Sequence, residues 1–163
     1  MNEKIKLITD SCCDIPPEVA EEYGIEILSF PITVDGKEYR ERIDFSADEF
    51  YTMLSQTMKI PTHAQLIPIE FEDVYEKAYA EGYTDIIYVS INAKGSNTYI
   101  NSKIAANNFY DTHPETKKSF RFHLIDSGCY TMGYGMAVIE AAKKIRRGLS
   151  VKEIVSSIED WVK

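Results

Sequence analysis

The sequence predicts an α/β protein: a doubly wound, mostly parallel sheet flanked by helices, with a small β-hairpin insertion. Two patterns lead to this prediction. Short apolar runs typical of strands alternate with helical periodicities along the 163 residues, as expected for a sheet built from strand–helix–strand units. The tetrapeptide VDGK at 34–37 contains the Asp-Gly pair that favours a tight hairpin turn, and it predicts the insertion.

Four apolar runs are predicted strands, at residues 5–10, 25–34, 85–91 and 121–126. The second run leads into the hairpin turn, so the chain is expected to return antiparallel to it through Tyr39. The other three runs are followed by short polar connections. In a parallel sheet such connections gather at the carboxyl edge, which is where ligands bind in this architecture.

Local signals predict where helices begin and end. Pro16 and Pro17 suit the first turn of a helix, and Gly24 suits its C-terminal cap. Apolar residues at helical spacing predict a second helix over 71–79. A Ser followed three residues later by Glu forms a capping box, which predicts a helix start at two further places. These boxes are Ser46 with Glu49 and Ser150 with Glu153.

Length and charge limit the classes of function. A chain of 163 residues fits one domain. Its net charge of −8 would repel phosphate backbones and anionic lipid headgroups, so no nucleic-acid partner is expected. No apolar run is long enough to span a bilayer, so no membrane insertion is expected. The first residues lack the layout of a signal peptide, which makes the cytoplasm the expected location.

Three cysteines raise the question of catalysis or metal binding. Cys12 and Cys13 are adjacent, and with Cys129 they make an odd count, which does not indicate a disulfide framework. The helix that follows could activate Cys12 or Cys13, with His63 as a base from another loop. Asp10 ends its strand where phosphoryl-transfer enzymes carry an aspartate. Metal ligands at the usual close spacing are lacking, so no metal site is predicted.

A binding site at the carboxyl edge is the other reading of these loops. Hydroxyl and amide side chains there suit a neutral or singly anionic group, and helix N-termini add a positive field. Apolar and aromatic residues close to them in sequence could line a cavity for the rest of an amphiphile. These apolar residues are Leu66, Ile67, Phe71, Tyr99, Tyr130, Met132 and Tyr134.

Ordered motifs along essentially the whole chain resemble the N-terminal domain of the DegV family. "TDSCCDIP" at the first connection resembles the opening TDS-x-x-D-[IL]-P element of the family. "PTHAQLIPIEF" resembles its P-x-T-S-Q-P-S-P-x-x-F segment. "GSNTYINS" resembles its L-S-G-T-Y-x-S element, and "DSGCYTMGYG" resembles its D-S-x-x-x-S-x-G-x-G helix entry.

The resemblance implies a function. Members of the family are bacterial lipid-binding proteins, not enzymes by themselves, and they hold one long-chain fatty acid in a tunnel between two domains. Some present the acid to a separate kinase. Residues 1–163 would then be a DegV-like N-terminal α/β domain without the second, lipid-covering domain. The expected ligand is a fatty acid such as palmitate, a fatty-acid kinase is the expected partner, and no cofactor or catalytic residue is expected.

The resemblance also implies which residues hold the carboxylate, although two of the usual hydroxyl donors are replaced. His63 stands in place of the threonine of T-S-Q, with Thr62 just before it, and Asn92 and Ala93 stand in place of two serines. His63 is therefore predicted to take over the head-group role. The predicted ligand-binding residues are Thr62, His63, Asn92, Ala93, Ser96, Thr98, Ser11 and Ser127.

Two alternatives to a fatty-acid carrier stay open from the sequence. One is a cysteine-dependent or phosphoryl-transfer enzyme that uses Cys12 or Cys13 with Asp10. The other is an interaction domain that retains the fold and has lost ligand binding. Without a second domain, an apolar face should be uncovered, and a homodimer through that face is expected as one way to cover it.

Overall fold

The computed structural model of the protein describes residues 3–163. The strands are β1 (Ile5–Asp10), β2 (Glu26–Leu28), β3 (Pro31–Val34), β4 (Lys37–Arg40), β5 (Thr62–His63), β6 (Asp85–Ser90) and β7 (Arg121–Asp126). The helices are α1 (Pro17–Tyr23), α2 (Ala47–Gln56), α3 (Pro68–Ala80), α4 (Thr98–Thr112), α5 (Met132–Arg146) and α6 (Val151–Trp161). Short 3-10 turns occupy Ser11–Cys13 and Pro114–Lys118.

The main sheet has four parallel strands in the order β2-β1-β6-β7. The chain leaves β1 toward β2 on one side and later returns to place β6 and β7 on the other. The strand order therefore reverses between β1 and β6, and ligands bind at such a switch point in open α/β sheets. Helices α3 and α4 pack together beside β7, while α5 contacts β1, α1 and α6. The predicted α/β fold is confirmed.

The small sheet is antiparallel, in the order β4-β3-β5. Asp35 and Gly36 adopt φ of 47° and 83°, as a hairpin turn between β3 and β4 requires. Tyr39 pairs with Ile32, so the predicted hairpin and its return strand are confirmed. β5 adds two residues on the other side of β3.

The prediction of one strand over 25–34 was wrong. Ile27 pairs with Thr9 in the parallel sheet, whereas Ile32 belongs to the small sheet. Between them the amide of Phe30 donates to Oγ of Ser11 at 3.0 Å, and the Phe30 side chain is buried. Pro31 follows and restricts the backbone of Phe30. A long-range hydrogen bond therefore divides one apolar run between two sheets.

The predicted helix boundaries follow their local signals. Pro17 begins α1, and Gly24 ends it in the left-handed conformation with φ of 64°. Both capping boxes form, at Ser46 with α2 and at Ser150 with α6. The predicted periodic segment lies inside α3. None of the helices within residues 3–163 is both long enough and apolar enough to cross a membrane.

Candidate ligand-binding site

The end of β1 is built around the buried carboxyl group of Asp10. It accepts hydrogen bonds from the Tyr134 hydroxyl at 2.5 Å, the Tyr88 hydroxyl at 3.1 Å and the Ile91 amide at 2.9 Å. Burial raises the pKa of Asp10 by more than these hydrogen bonds lower it. Asp10 is fully buried, so it ties β1, β6 and α5 together at the switch point and is closed to a reacting phosphoryl group.

The turn after Asp10 holds its thiols in the protonated form. Burial, together with nearby carboxylates, first that of Asp10, raises the pKa of Cys12 to about 12. Burial also raises the pKa of Cys13 to about 11, and the Cys13 sulfur accepts a hydrogen bond from the Ile15 amide at 3.4 Å. Both thiols therefore have a raised pKa, whereas a nucleophilic cysteine needs a lowered one.

The Ser11 hydroxyl forms its hydrogen bonds within the protein. Ser11 is 1% exposed. Its hydroxyl accepts a hydrogen bond from the Phe30 amide and donates one to a carboxylate oxygen of Glu41. Glu41 follows the hairpin, so Ser11 joins the end of β1 to the small sheet. Glu41 was not singled out from the sequence, because its partner lies 30 residues away.

The loop after β6 is fastened to the loop after β7. The Asn92 amide donates to the carbonyl of Cys129 at 2.9 Å, and the Ala93 amide donates to Oδ1 of Asp126 at 2.9 Å. The amides of Lys94 and Gly95 donate to oxygens of Asn92. All four amides of residues 92–95 are thus used within the protein.

Ser127 closes the same pair of loops from the other side. Its side chain is fully buried, and its hydroxyl accepts from the Cys129 amide at 3.0 Å. The Ser127 amide donates to the carbonyl of Ser90 at 3.2 Å. Ser127 therefore shapes the connection after β7 from within.

Ser96 and Thr98 hold the start of α4 against the segment before α3. Their hydroxyl oxygens are 2.8 Å apart, and Oγ1 of Thr98 accepts from the Leu66 amide at 3.3 Å. Asn101, one turn along α4, donates to the Leu66 carbonyl at 2.7 Å. Both backbone groups of Leu66 are therefore fixed by α4. Asn101 was missed from the sequence, because a lone Asn within a helix carries no signal of its own.

Thr62 and His63 form β5 and are exposed. They pair with Thr33 and Ile32 of β3. The His63 ring lies edge-on to the ring of Phe30, with 6.1 Å between the ring centroids. This pairing holds the imidazole at the surface beside the residue whose amide is bound by Ser11.

The predicted site residues lie on the turn after β1, on β5, at the start of α4 and on the connections after β6 and β7, and their roles in the structure differ. Thr62 and His63 are exposed, and Asn92, Ala93 and Ser96 are partly exposed. Ser11, Thr98 and Ser127 are buried, and their hydroxyls bond to protein groups. Among the apolar candidates, Leu66, Phe71 and Tyr134 belong to the core. Within residues 3–163, no cluster of three or more His, Cys, Asp or Glu side chains is arranged to hold a metal ion.

A cleft of about 710 Å³ lies between the turn at 11–17 and the segment 41–51. Of the predicted site residues, only Ser11 lines it. Five lining residues are acidic and only Arg42 is basic; the acidic ones are Asp14, Glu41, Asp44, Asp48 and Glu49. Like charges repel, so this cleft is a poor place for an anionic head group.

Large apolar side chains are exposed along the segment before α3. Met58 is 93% and Ile60 is 91% exposed. Ile43, Tyr51 and Ile67 are also exposed. The segment between α2 and α3 therefore presents large apolar side chains at the surface of this domain.

The fold and these loops define a doubly wound α/β domain with polar side chains at the carboxyl edge of its switch point. A family model described as "Uncharacterised protein, DegV family" matches residues 4–163. The chain therefore belongs to the DegV family.

Individual relatives are similar along nearly the whole chain. A DegV domain-containing protein of Caldanaerobacter subterraneus is 35% identical over 160 residues, which cover 98% of this chain and 54% of that protein. This chain spans about half the length of the curated relatives it matches.

Solved structures share the fold. A fatty acid binding DegV family protein from Streptococcus agalactiae superposes with a TM-score of 0.81 at 25% identity, covering 98% of this chain and 54% of that one. The Streptococcus pneumoniae Fatty Acid Kinase B3 protein, loaded with linoleic acid, superposes with a TM-score of 0.78 at 24% identity, over 98% of this chain and 54% of that one.

Proposed function

We propose that this chain is a fatty-acid-binding domain that holds the carboxylate of a long-chain acid at the carboxyl edge of its sheet. The observation that carries the proposal is a DegV fold in which β5 and the loop after β6 carry exposed or partly exposed polar side chains. The segment between α2 and α3 carries exposed apolar ones. A 25% identical DegV protein of known structure is described as fatty acid binding, which supports the same ligand class here.

The proposed head-group contacts come from the exposed part of the predicted set. Thr62 offers a hydroxyl, and His63 offers an imidazole that is a charge-assisted donor when protonated. Ser96 is partly exposed, and its hydroxyl also lies 2.8 Å from Oγ1 of Thr98. Asn92 contributes its side-chain amide, while Ala93 contributes no side-chain donor. Ser11, Thr98 and Ser127 position the loops, because their hydroxyls are already bonded inside the protein.

The acyl tail is proposed to lie along the exposed apolar residues. Each methylene removed from water contributes about 0.8 kcal/mol, so the tail supplies most of the binding free energy. Relatives are about twice as long as this chain. The other wall of the tunnel is therefore proposed to come from a second domain, or from a second copy that covers Met58 and Ile60.

The proposed role is that of a carrier rather than an enzyme. The buried Asp10 and the protonated thiols of Cys12 and Cys13 argue against the enzyme alternatives. A structural neighbour is described as a Fatty Acid Kinase B3 protein, so presentation of the acid to a kinase in the cytoplasm is the proposed physiological role. No cofactor is required for it.

The test is lipid analysis and titration of the purified chain. After gentle extraction, native mass spectrometry is expected to detect a bound long-chain fatty acid. Titration of delipidated protein with palmitate is expected to give micromolar affinity, because one wall of the tunnel covers only about half of the tail.

Two serine variants test the site itself. Ser96→Ala is expected to weaken palmitate binding. Ser156→Ala, at an exposed position of α6, should not. No co-purifying acid and no palmitate binding would favour the interaction-domain alternative.

A further inference from the structure

Tyr130 lies over the loop after β6. A Cβ atom added at Gly95 would collide with the hydroxyl oxygen of Tyr130 and would lie 3.2 Å from the ring carbon that carries it. The phenol therefore occupies the space that a side chain at residue 95 would fill. This contact places a hydroxyl group directly on the loop that carries Asn92, Ala93 and Ser96.

The backbone around Tyr130 is held in this position. The carbonyl of Cys129, the preceding residue, accepts the Asn92 amide at 2.9 Å, and the carbonyl of Tyr130 accepts the Gly133 amide at 3.1 Å. Thr131, the next residue, has φ of 54° and ψ of −142°. A non-glycine residue rarely adopts such a conformation, and it persists where the surroundings enforce it, often beside a ligand. The turn that aims Tyr130 at Gly95 is thus strained and fixed.

The hydroxyl of Tyr130 differs from those of the neighbouring tyrosines. The Tyr134 hydroxyl donates to Asp10, and the Tyr99 hydroxyl donates to the Leu124 carbonyl at 3.4 Å. Within residues 3–163, no protein group accepts from the Tyr130 hydroxyl, and every buried side-chain polar atom has a partner. The Tyr130 side chain is 50% exposed, so its hydroxyl is free to donate to a ligand.

The loop itself has few donors to offer. The amides of residues 92–95 are all bonded within the protein, and Ala93 has no polar side chain. Within the loop, a carboxylate can therefore receive hydrogen bonds only from the side chains of Asn92 and Ser96, and any further donor comes from outside the loop. A phenol hydroxyl is such a donor, and Tyr130 brings one within contact of Gly95.

We propose that Tyr130 is a head-group-binding residue, whose hydroxyl donates a hydrogen bond to the carboxylate of the bound fatty acid. Gly95 is then the position that makes room for it. The inference rests on the proposed function, since it assigns one contact within that site.

The test compares three single variants in palmitate titrations. Tyr130→Phe removes only the hydroxyl and is expected to weaken binding about tenfold, as for the loss of one hydrogen bond to a charged group. Gly95→Ala is expected to weaken it similarly, because the new methyl group displaces the phenol. The palmitate affinity of the double variant should be no lower than that of the single variant with the lower affinity. Tyr79→Phe, at the C-terminal end of α3, is the matched control and should bind as the parent does.

A second measurement separates a direct contact from simple packing. Palmitate labelled with carbon-13 at the carboxyl is titrated by NMR in complex with each protein. Loss of a donor to the charged form should raise the pKa of the bound acid in Tyr130→Phe. Parent-like affinity of Tyr130→Phe, or weaker binding with an unchanged carboxyl pKa, would overturn the head-group contact alone. Absence of palmitate binding by the parent would overturn the proposed function and this inference with it.

Discussion

The hydroxyl of Tyr134 donates a 2.5 Å hydrogen bond to Asp10 across 124 residues of sequence. Asp10 ends β1, and Tyr134 lies in the first turns of α5, so the bond fixes the helix against the switch point. The Ile91 amide binds the other carboxyl oxygen of Asp10, and the loop with Asn92 and Ala93 begins at the next residue. The buried carboxyl group thus positions the loop that carries part of the proposed site.

Asp10 should make the stability of the protein fall as pH rises. Burial raises the pKa of Asp10 above its ordinary value of 3.8. The folded state then binds the proton more tightly than the unfolded chain, so this stabilisation is full below the unfolded pKa and is lost as pH rises through the folded pKa. Asp10→Asn removes this titration, and urea unfolding from about pH 3.5 to about pH 8 should show a profile without that decline.

Asp85 provides a control of opposite sign. Burial acts to raise the pKa of Asp85, but hydrogen bonds from Arg121, His123 and Thr84 outweigh it and leave the pKa lowered. The corresponding stabilisation is present above the unfolded pKa and is lost as pH falls through the folded pKa. Asp85→Asn should therefore flatten the acid side of the profile. An identical pH dependence in the parent and in Asp10→Asn would contradict the account of Asp10.

Replacing either of two glycines of α5 by alanine should affect the stability of the protein differently. A Cβ at Gly135 would collide with the carbonyl oxygen of Cys13 and lie 3.1 Å from the sulfur of Met132. Gly135→Ala is expected to reduce the free energy of unfolding by about 1–3 kcal/mol, as overpacking does. At Gly133 the nearest atom is Cβ of Cys129 at 3.5 Å, an ordinary contact. Gly133→Ala should be neutral or stabilise by up to about 1 kcal/mol through helix propensity.

Urea denaturation of the two alanine variants checks this difference. Equal losses of stability in both would show that the α5 backbone is not held close to the turn at Cys13.

The thiols of Cys12 and Cys13 should react slowly. Only the thiolate is nucleophilic, so with pKa values of about 12 and about 11 alkylation near neutral pH should be slower than that of a free cysteine. For Cys12 the expected factor is on the order of a thousandfold. Iodoacetamide labelling followed by peptide mass spectrometry measures both sites, and urea-unfolded protein is the control. Rapid stoichiometric labelling of either residue in the folded protein would revive the cysteine-enzyme alternative.

His63 should make fatty-acid binding depend on pH. An imidazole gives a charge-assisted hydrogen bond to a carboxylate only when it is protonated. Palmitate affinity of the parent should therefore weaken as pH rises from about 5.5 to about 8.5, where histidines lose their proton. His63→Ala should bind more weakly at the acid end and show a flatter profile.

His113 supplies the matched control for that experiment. It pairs with Glu76 at 2.9 Å and follows the last residue of α4. His113→Ala should keep the parental pH dependence of palmitate affinity. Curves of the same shape for the parent and His63→Ala would assign the head group to Thr62 and Ser96 instead.

Much of the fold was predictable because its signals are local. The Asp35–Gly36 turn and the boxes at Ser46 and Ser150 each depend on residues only a few positions apart. The same holds for the cap at Gly24. Backbone conformation at such places is set by the residues themselves, so the structure reproduces them.

The division of residues 25–34 between two sheets could not be predicted in this way. Apolar periodicity shows that a segment is extended, but it does not show which sheet takes it. The hydrogen bond from Phe30 to Ser11, across 19 residues, decides where the run is divided.

The sequence by itself determined the α/β class, the family motifs and the loops that form the carboxyl edge, because these follow from local propensity and from ordered residue patterns. Only the tertiary structure decided which polar groups remain free for a ligand. Ser11, Thr98 and Ser127 have the same hydroxyl chemistry as Thr62, yet they are buried and bonded within the protein. Ser96 is partly exposed although its hydroxyl lies 2.8 Å from Oγ1 of Thr98. The partners of Ser11 and Thr98 are Phe30 and Leu66, which lie 19 and 32 residues away. Such partners meet only when the sheet and its helices have packed together.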